Sequence, residues 1–256
     1  MLRLRDEQWG RIREHFPEEH IPKGRPGRKP LPARDIVEAV RWMLNTGAHW
    51  HLRPQCYTND NTVHHRFQPW CERAVLREML TPRANTLREE GELDERERCI
   101  DATIASAQGG GDGFGKPRRG TGVKSLALVD RHGLPLSVSP HAAHHHAVTF
   151  VPLRFDCSLL EAQPEHLIGD RADDSAGRDD DRKQDGVTRI APHRSTRKLK
   201  TPDGRSLRRD QSRWLVERVF AWLQWKRRWL VRWEYYAANV LGFVHLASIT
   251  MLLKRF

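Results

Sequence analysis

Apolar residues recur at helical spacing through the first third of the chain, and the pattern predicts a series of short helices there. Asp6 to Phe16 carries Trp9, Ile12 and Phe16 three to four positions apart, one face of an amphipathic helix. From Ala33 to Leu44 the residues Ile36, Val37, Val40, Met43 and Leu44 line a second face, and Asn45-Thr46-Gly47 supplies a glycine end-cap. Trp50 and Leu52 follow as an anchor, then a helix beginning at Asn61 and running through Trp70, and another over residues 74–90. The segment Pro22 to Pro30 interrupts this pattern with three prolines, two glycines and four cations. It reads either as a basic arm that lies along phosphates or in a minor groove, or as a solvated loop.

Near residue 95 the period shortens. Arg98-Cys-Ile-Asp-Ala-Thr-Ile-Ala is a β-prone run, and Lys124 to Asp130 followed by Gly133 to Ser139 predicts a hairpin turning at Arg131-His132-Gly133. The glycine-rich, basic stretch from Gly109 to Gly122 lacks the Gly-x-x-x-x-Gly-Lys-Ser/Thr pattern of a nucleotide-binding loop, so it is expected to be a flexible loop, with Lys116, Arg118 and Arg119 available to phosphates. A helix is expected over residues 141–160, a short strand over Glu165 to Asp170, an acidic helix or loop over Asp173 to Gly186, and a strand over Val187 to Pro192. The histidines at 141 and 144–146 do not form a zinc pattern, because consecutive side chains point apart and no Glu-x-x-His accompanies them. Late in the chain, Arg213 to Arg228 predicts a helix with Val216, Val219, Phe220 and Leu223 on its apolar face and Arg213, Glu217, Gln224 and Arg228 on a polar stripe beside it. A last apolar helix is expected from Asn239 to about Leu253.

Charge changes the picture more than bulk composition does. The formal net charge of +11 is concentrated in residues 189–232, which hold 14 Lys and Arg against 3 acids, whereas the rest of the chain balances at 30 against 30. A basic field of this kind attracts phosphate backbones through counterion release. Tryptophans at 214, 222, 225, 229 and 233 share the same segment and point to a packed, partly exposed platform, so nucleic acid is the expected partner rather than a membrane surface. No run approaches the ~20 apolar residues that span a bilayer, and the first residues lack a signal-peptide core. The four cysteines have no Cys-x-x-Cys spacing and read as reduced thiols, which fits a cytoplasmic protein.

The candidate chemistry is a set of acids. Asp101 and Asp170 fall on or at the ends of predicted strands and Glu217 on a late helix. Three carboxylates brought together repel unless divalent cations neutralise them, and oxygen-only ligation suits Mg²⁺ or Mn²⁺, with two ions serving in-line phosphoryl displacement. Taken singly, each aspartate is equally well read as a strand-end turn cap. Helix, turn and basic helix near residue 60 suggest a helix-turn-helix that offers His64, His65 and Arg66 to DNA, although many three-helix cores share that spacing. Arg213, Arg218, Lys226, Arg227 and Arg228 are the expected backbone contacts around Glu217.

Several motifs in order carry a family resemblance: Cys99-Ile-Asp-Ala-Thr, Gly120-Thr-Gly-Val-Lys-Ser-Leu-Ala-Leu-Val-Asp-Arg-His-Gly-Leu-Pro, Leu167-Ile-Gly-Asp-Arg-Ala, Ile190-Ala-Pro-His-Arg-Ser and Trp214-Leu-Val-Glu-Arg-Val-Phe-Ala-Trp-Leu-Gln. Together they resemble bacterial insertion-sequence transposases of the DDE type, specifically the insertion-sequence-five family. Leu44 to Pro54 and Thr62 to Trp70 are similar to the helical part that precedes the catalytic domain in that family. The resemblance implies an α/β, ribonuclease-H-like mixed sheet with flanking helices over residues 95–256, preceded by a small all-α, helix-turn-helix-like domain over residues 1–94.

It also implies that Asp101, Asp170 and Glu217 are the catalytic and metal-binding triad of an enzyme that binds the terminal inverted repeats of an insertion sequence, cleaves DNA and transfers strands. The implied partners are double-stranded DNA, at element ends and target, and further copies of the chain in a homodimer or larger synapse, in the bacterial nucleoid. Three positions depart from the family pattern. Asp210 stands where the Tyr-x-x-Arg-x-x-x-Glu signature has tyrosine, Asp173 where a tyrosine usually follows the second aspartate, and Gln224 where many relatives of the wider group carry lysine. These departures raise a second expectation, a catalytically decayed, transposase-derived DNA-binding protein. A general nuclease of the same fold is a third.

Overall fold

The structure, a computed structural model, describes residues 3–22, 24, 26–27, 29–94, 96–108, 111–112, 122–142, 163–169, 186–190 and 214–254. Helix α1 (Asp6–Ile12) passes through two 3₁₀ turns into α2 (Ala33–Thr46). Gly47 ends α2 in the left-handed region at φ 71°, and its N–H closes on the Met43 carbonyl as the cap pattern predicts. Next come α3 (Asp60–Glu72), α4 (Val75–Glu78) and α5 (Leu80–Glu89). The single helix expected over 74–90 is thus two, and Met79, which joins them, is itself fully buried.

Strand β1 (Glu97–Ala107) is the centre of the sheet. Along one side it pairs antiparallel with β2 (Gly122–Asp130), from Arg98 opposite Asp130 to Ser106 opposite Gly122. The predicted hairpin continues β2 into β3 (Pro135–Ala142), with Gly133 at φ 76° in the turn. Asp130 anchors that turn: it is fully buried and its carboxylate accepts the N–H groups of Asp94, His132 and Leu134. Residues 141–142 belong to β3 and not to the helix expected from 141, because they continue its ladder opposite Val123 and Lys124; residues 143–160 lie outside the described residues.

The other side of β1 is shared. β4 (His166–Ile168) runs parallel to Glu97–Cys99, with β5 (Thr188–Ile190) beyond it, and the two-residue β6 (Val231–Arg232) pairs parallel with Ser106 and Ala107 at the far end. The order is β3-β2-β1-β4-β5. Successive strand residues point to opposite faces, yet every position of β2 except Lys124 is buried, so both faces of the sheet are covered at β2.

Three helical pieces complete the chain: α6 (Trp214–Gln224), α7 (Arg227–Leu230) and α8 (Ala237–Leu252). α6 packs on β1 and β2 through Leu215, Val216, Val219, Phe220 and Leu223. α8 packs on β3 and also on α2, α3, α4 and α5. Helices and sheet therefore share one apolar core, and the change of texture near residue 95 does not divide it into two. No described helix is long and apolar enough to cross a membrane.

Candidate active site

Asp101 follows two fully buried residues, Cys99 and Ile100, on the central strand, where it stands opposite Ala127 of β2. Its side chain is half-buried, and its Oδ1 accepts the Ala102 N–H at 2.7 Å. On the other side of β1 the pairing with β4 stops at Cys99 and the pairing with β6 starts at Ser106, so Asp101 lies on the stretch between the two. β4 runs on into buried Gly169, whose N–H donates to the Ile190 carbonyl at 2.9 Å. The next residue, Asp170, lies outside the described residues, as do Arg213, Lys116, Arg118, Arg119, Asp173 and Asp210.

Glu217 sits in the first turn of α6, the helix that packs on β1 and β2. The apolar stripe of α6 faces the sheet, which leaves Glu217 exposed on the same side as Trp214, Ala221 and Gln224. In the first turn the helix dipole favours a carboxylate. Asp101 and Glu217 offer only oxygen donors, the ligand type that hard divalent cations such as Mg²⁺ prefer, so the chemistry of the described part of the set fits that ion. Among the described residues no three His, Cys, Asp or Glu side chains form a cluster.

The cations around Glu217 divide into two kinds. Arg218 lies between two indoles, 4.6 Å from the Trp214 ring centre and 5.0 Å from that of Trp222, and donates to the His132 carbonyl at 2.6 Å. It braces α6 against the β2–β3 turn. Arg227 is exposed, and Lys226 is half-buried with its ammonium on Asn45 Oδ1 at 2.6 Å.

Arg228 corrects an expectation. It was expected on the polar stripe with Glu217, but α6 ends at Gln224, the chain turns through Trp225 and Lys226, and Arg228 enters the core at 5% exposure. There it forms a buried ion pair with Glu234 and donates to the Ala48 carbonyl at 2.7 Å. Its charge is balanced by Glu234 inside the core. Trp229 is buried beside it, while Trp214, Trp222, Trp225 and Trp233 remain exposed. Arg232, also buried, donates to the carbonyls of Asp112 at 2.5 Å and Tyr235 at 2.8 Å and ties β6 to Asp112, beyond the end of β1. Sequence periodicity missed this strap because β6 is too short to show a period.

On α3, His64 meets the Trp50 ring edge-on at 5.0 Å, His65 is exposed, and Arg66 is paired with Glu18 at 2.6 Å. Val63, Phe67 and Trp70 of the same helix are buried, so α3 has a core role whatever its polar side contacts.

Comparison with known proteins finds two family models along the chain. Residues 4–80 match the family model described as "Putative transposase of IS4/5 family", and residues 92–252 match the model of the transposase DDE domain. Among solved structures the chain is similar to the piggyBac transposase of a synaptic complex with hairpin DNA, at 14% identity and a TM-score of 0.39, over 75% of this chain and 49% of that one. The chain thus spans about half the length of that relative. No curated protein matches it.

Proposed function

Because the chain belongs to the DDE-domain transposases, a family of phosphoryl-transfer nucleases that use divalent metal, we propose that it binds the terminal inverted repeats of an insertion sequence, cleaves there and joins the freed end to target DNA. One observation supports this reading above the others. Asp101 stands two residues beyond Cys99, Asp170 stands two beyond Ile168, and Cys99 and Ile168 are parallel register partners on adjacent strands, while the Glu217 helix packs on β1. Two acids of the candidate triad thus lie on packed neighbouring elements, β1 and α6, and the third follows β4 by two residues in the sequence.

In the first reaction, water attacks a phosphorus at the repeat end, the P–O3′ bond breaks, and a 3′-hydroxyl is left. In the second, that 3′-oxygen attacks a target phosphorus, a new P–O3′ bond forms, and the target strand's own 3′-oxygen departs with a proton. Asp101, Asp170 and Glu217 would hold Mg²⁺ or Mn²⁺, which when bound stabilises charge on the phosphoryl oxygens and lowers the pKa of the attacking hydroxyl. Exposed Arg227 and the basic segment before α6 bind and align the phosphate backbone. The exposed indoles of Trp214 and Trp222 clamp Arg218 and so hold the helix that presents Glu217. Two ends must meet before joining, so the active assembly contains at least two copies of the chain.

The test is cleavage of a labelled duplex carrying the candidate repeat, with Mg²⁺, Mn²⁺ or EDTA, beside Asp101→Asn and Asp170→Asn. Metal-dependent nicking at the repeat end, abolished by both substitutions with binding retained, is the expected result; equal cleavage by either variant rules the triad out. A decayed, DNA-binding form is the second reading, motivated by aspartate at positions 210 and 173. It predicts repeat binding with no nicking under any metal.

A further inference from the structure

A cavity of about 600 Å³ lies on the N-terminal side of the molecule, apart from Asp101 and Glu217. Its wall is assembled from distant parts of the chain: the segment before α1, one side of α2, the turn after α6 and the end of α8. Five cations line it, Arg3, Arg5, Arg41, Lys226 and Lys254, against one acid, Glu38. That acid is already engaged. Glu38 Oε1 accepts the Leu4 N–H at 2.5 Å, and Arg41 Nη1 donates to both carboxylate oxygens at 3.2 and 3.1 Å.

The positive charge spans two environments: Arg3, Arg5 and Lys254 are exposed, whereas Lys226 is half-buried and Arg41 lies where water screens it poorly. Arg41 is 8% exposed, and its Nε is buried without a hydrogen-bond partner among the described residues. Burial pushes the Arg41 guanidinium down from its ordinary range, with Glu38 opposing the shift. Burial, then the charges of Lys254 and Arg41, push the Lys226 ammonium down as well. An ammonium depressed by its cationic neighbours and a buried Arg41 donor left unpaired are the state an anion relieves. Trp42 and Tyr57, with ring centres 6.0 Å apart and planes tilted by 43°, add aromatic surface to the same cavity.

We propose that this cavity is a phosphate site, in which Arg41, Lys226 and Lys254 hold a phosphate group carried by a DNA strand or by a free nucleotide. The volume suits a nucleotide-sized group. Because Lys226 follows the Glu217 helix and Arg41 belongs to α2, a phosphate bound here cross-links the N-terminal helices to the catalytic part of the chain. The site does not depend on the cleavage reading, since neither Asp101 nor Glu217 contributes to its wall.

The experiment is calorimetric titration of the full chain with pyrophosphate, with adenosine monophosphate and with a blunt duplex across a salt series. It compares wild type, Lys226→Gln/Lys254→Gln, Lys254→Gln alone, and Arg73→Gln as an exposed control that lies outside the cavity. Loss of at least about tenfold in pyrophosphate and nucleotide affinity in the double variant, with duplex binding unchanged, identifies a free nucleotide as the source. Weaker duplex binding with a salt slope reduced by about two, beside little effect of Arg73→Gln, identifies the DNA backbone. The proposal is overturned when the double variant binds every probe as wild type does, or when Arg73→Gln weakens duplex binding as much per charge removed. Should the double variant fail to fold, exposed Lys254→Gln decides alone: wild-type affinity for all three probes overturns the proposal.

Discussion

Single residues near Glu217 differ in what they contribute, and burial is what separates them. Arg228 is held by Glu234 inside the core, so Arg228→Ala leaves a buried carboxylate unpaired and is expected to cost about 3 kcal/mol or more in chemical denaturation. Arg227, its exposed neighbour, is expected to leave stability within about 0.5 kcal/mol when changed to alanine and to reduce the salt slope of DNA binding by about one. Equal stability of the two variants contradicts the buried pair.

His245 gives a pH prediction. Burial, with Arg77 nearby, lowers its pKa from the ordinary 6.5 to about 4, so the folded state keeps the ring neutral where the unfolded chain would protonate it. The unfolded state then binds more protons, and stability falls as pH drops from about 6.5 towards about 4. The loss is at most about 3 kcal/mol, less to the extent that the part-exposed ring is screened by solvent. Denaturation of His245→Gln against wild type between those pH values should show the slope removed in the variant.

Elements meet closely at two glycines, and both contacts are testable. Gly47 combines a positive φ of 71° with a near approach to α7, where an added Cβ would sit 3.0 Å from Arg227 Cβ and 3.1 Å from its backbone carbon. Gly47→Ala is expected to destabilise by about 1 kcal/mol or more, because strain and crowding act together. On α8, a Cβ at Gly242 would collide with Cys71 Sγ and stand 3.0 Å from Phe67 Cζ of α3. Gly242→Ala should cost about 1–3 kcal/mol, and adding Cys71→Ala should recover a measurable part of it; a purely additive pair of effects argues against the contact. The cap at Gly47 was legible in sequence because the pattern Asn45-Thr46-Gly47 is local. The contact that makes Gly47 doubly restricted was not, since Arg227 is remote in the chain.

At the scale of the whole molecule, α8 ties the ends of the chain together. It packs on β3 and on four of the N-terminal helices, and the described core is one cluster. Unfolding of the full chain is therefore expected as a single cooperative transition, and deleting residues 237–256 should lose the helical N-terminal part as well as the sheet; two separate thermal transitions, or a native-like N-terminal part in the deleted chain, contradict this. The division into helical and mixed regions at about residue 95 is one of sequence texture, and the packing crosses it.

What the sequence determined by itself is local in origin. The α2 face and its cap, the turn at Gly133, the run of β1, the apolar stripe of α6, and the ordered motifs around Asp101, Asp170 and Glu217 all reside in windows of a few turns or one hairpin, where period and turn chemistry act directly. The tertiary structure alone decided which charges are inside. On a helical projection Arg228 shares a stripe with Glu217, and Glu38 and Arg41 are two of the four charges on α2. Their roles follow from partners far along the chain, as when Arg228 reaches Ala48 or Glu38 reaches Leu4. Burial and pairing are properties of chain segments brought together by the shared core, and no periodicity within one segment encodes them.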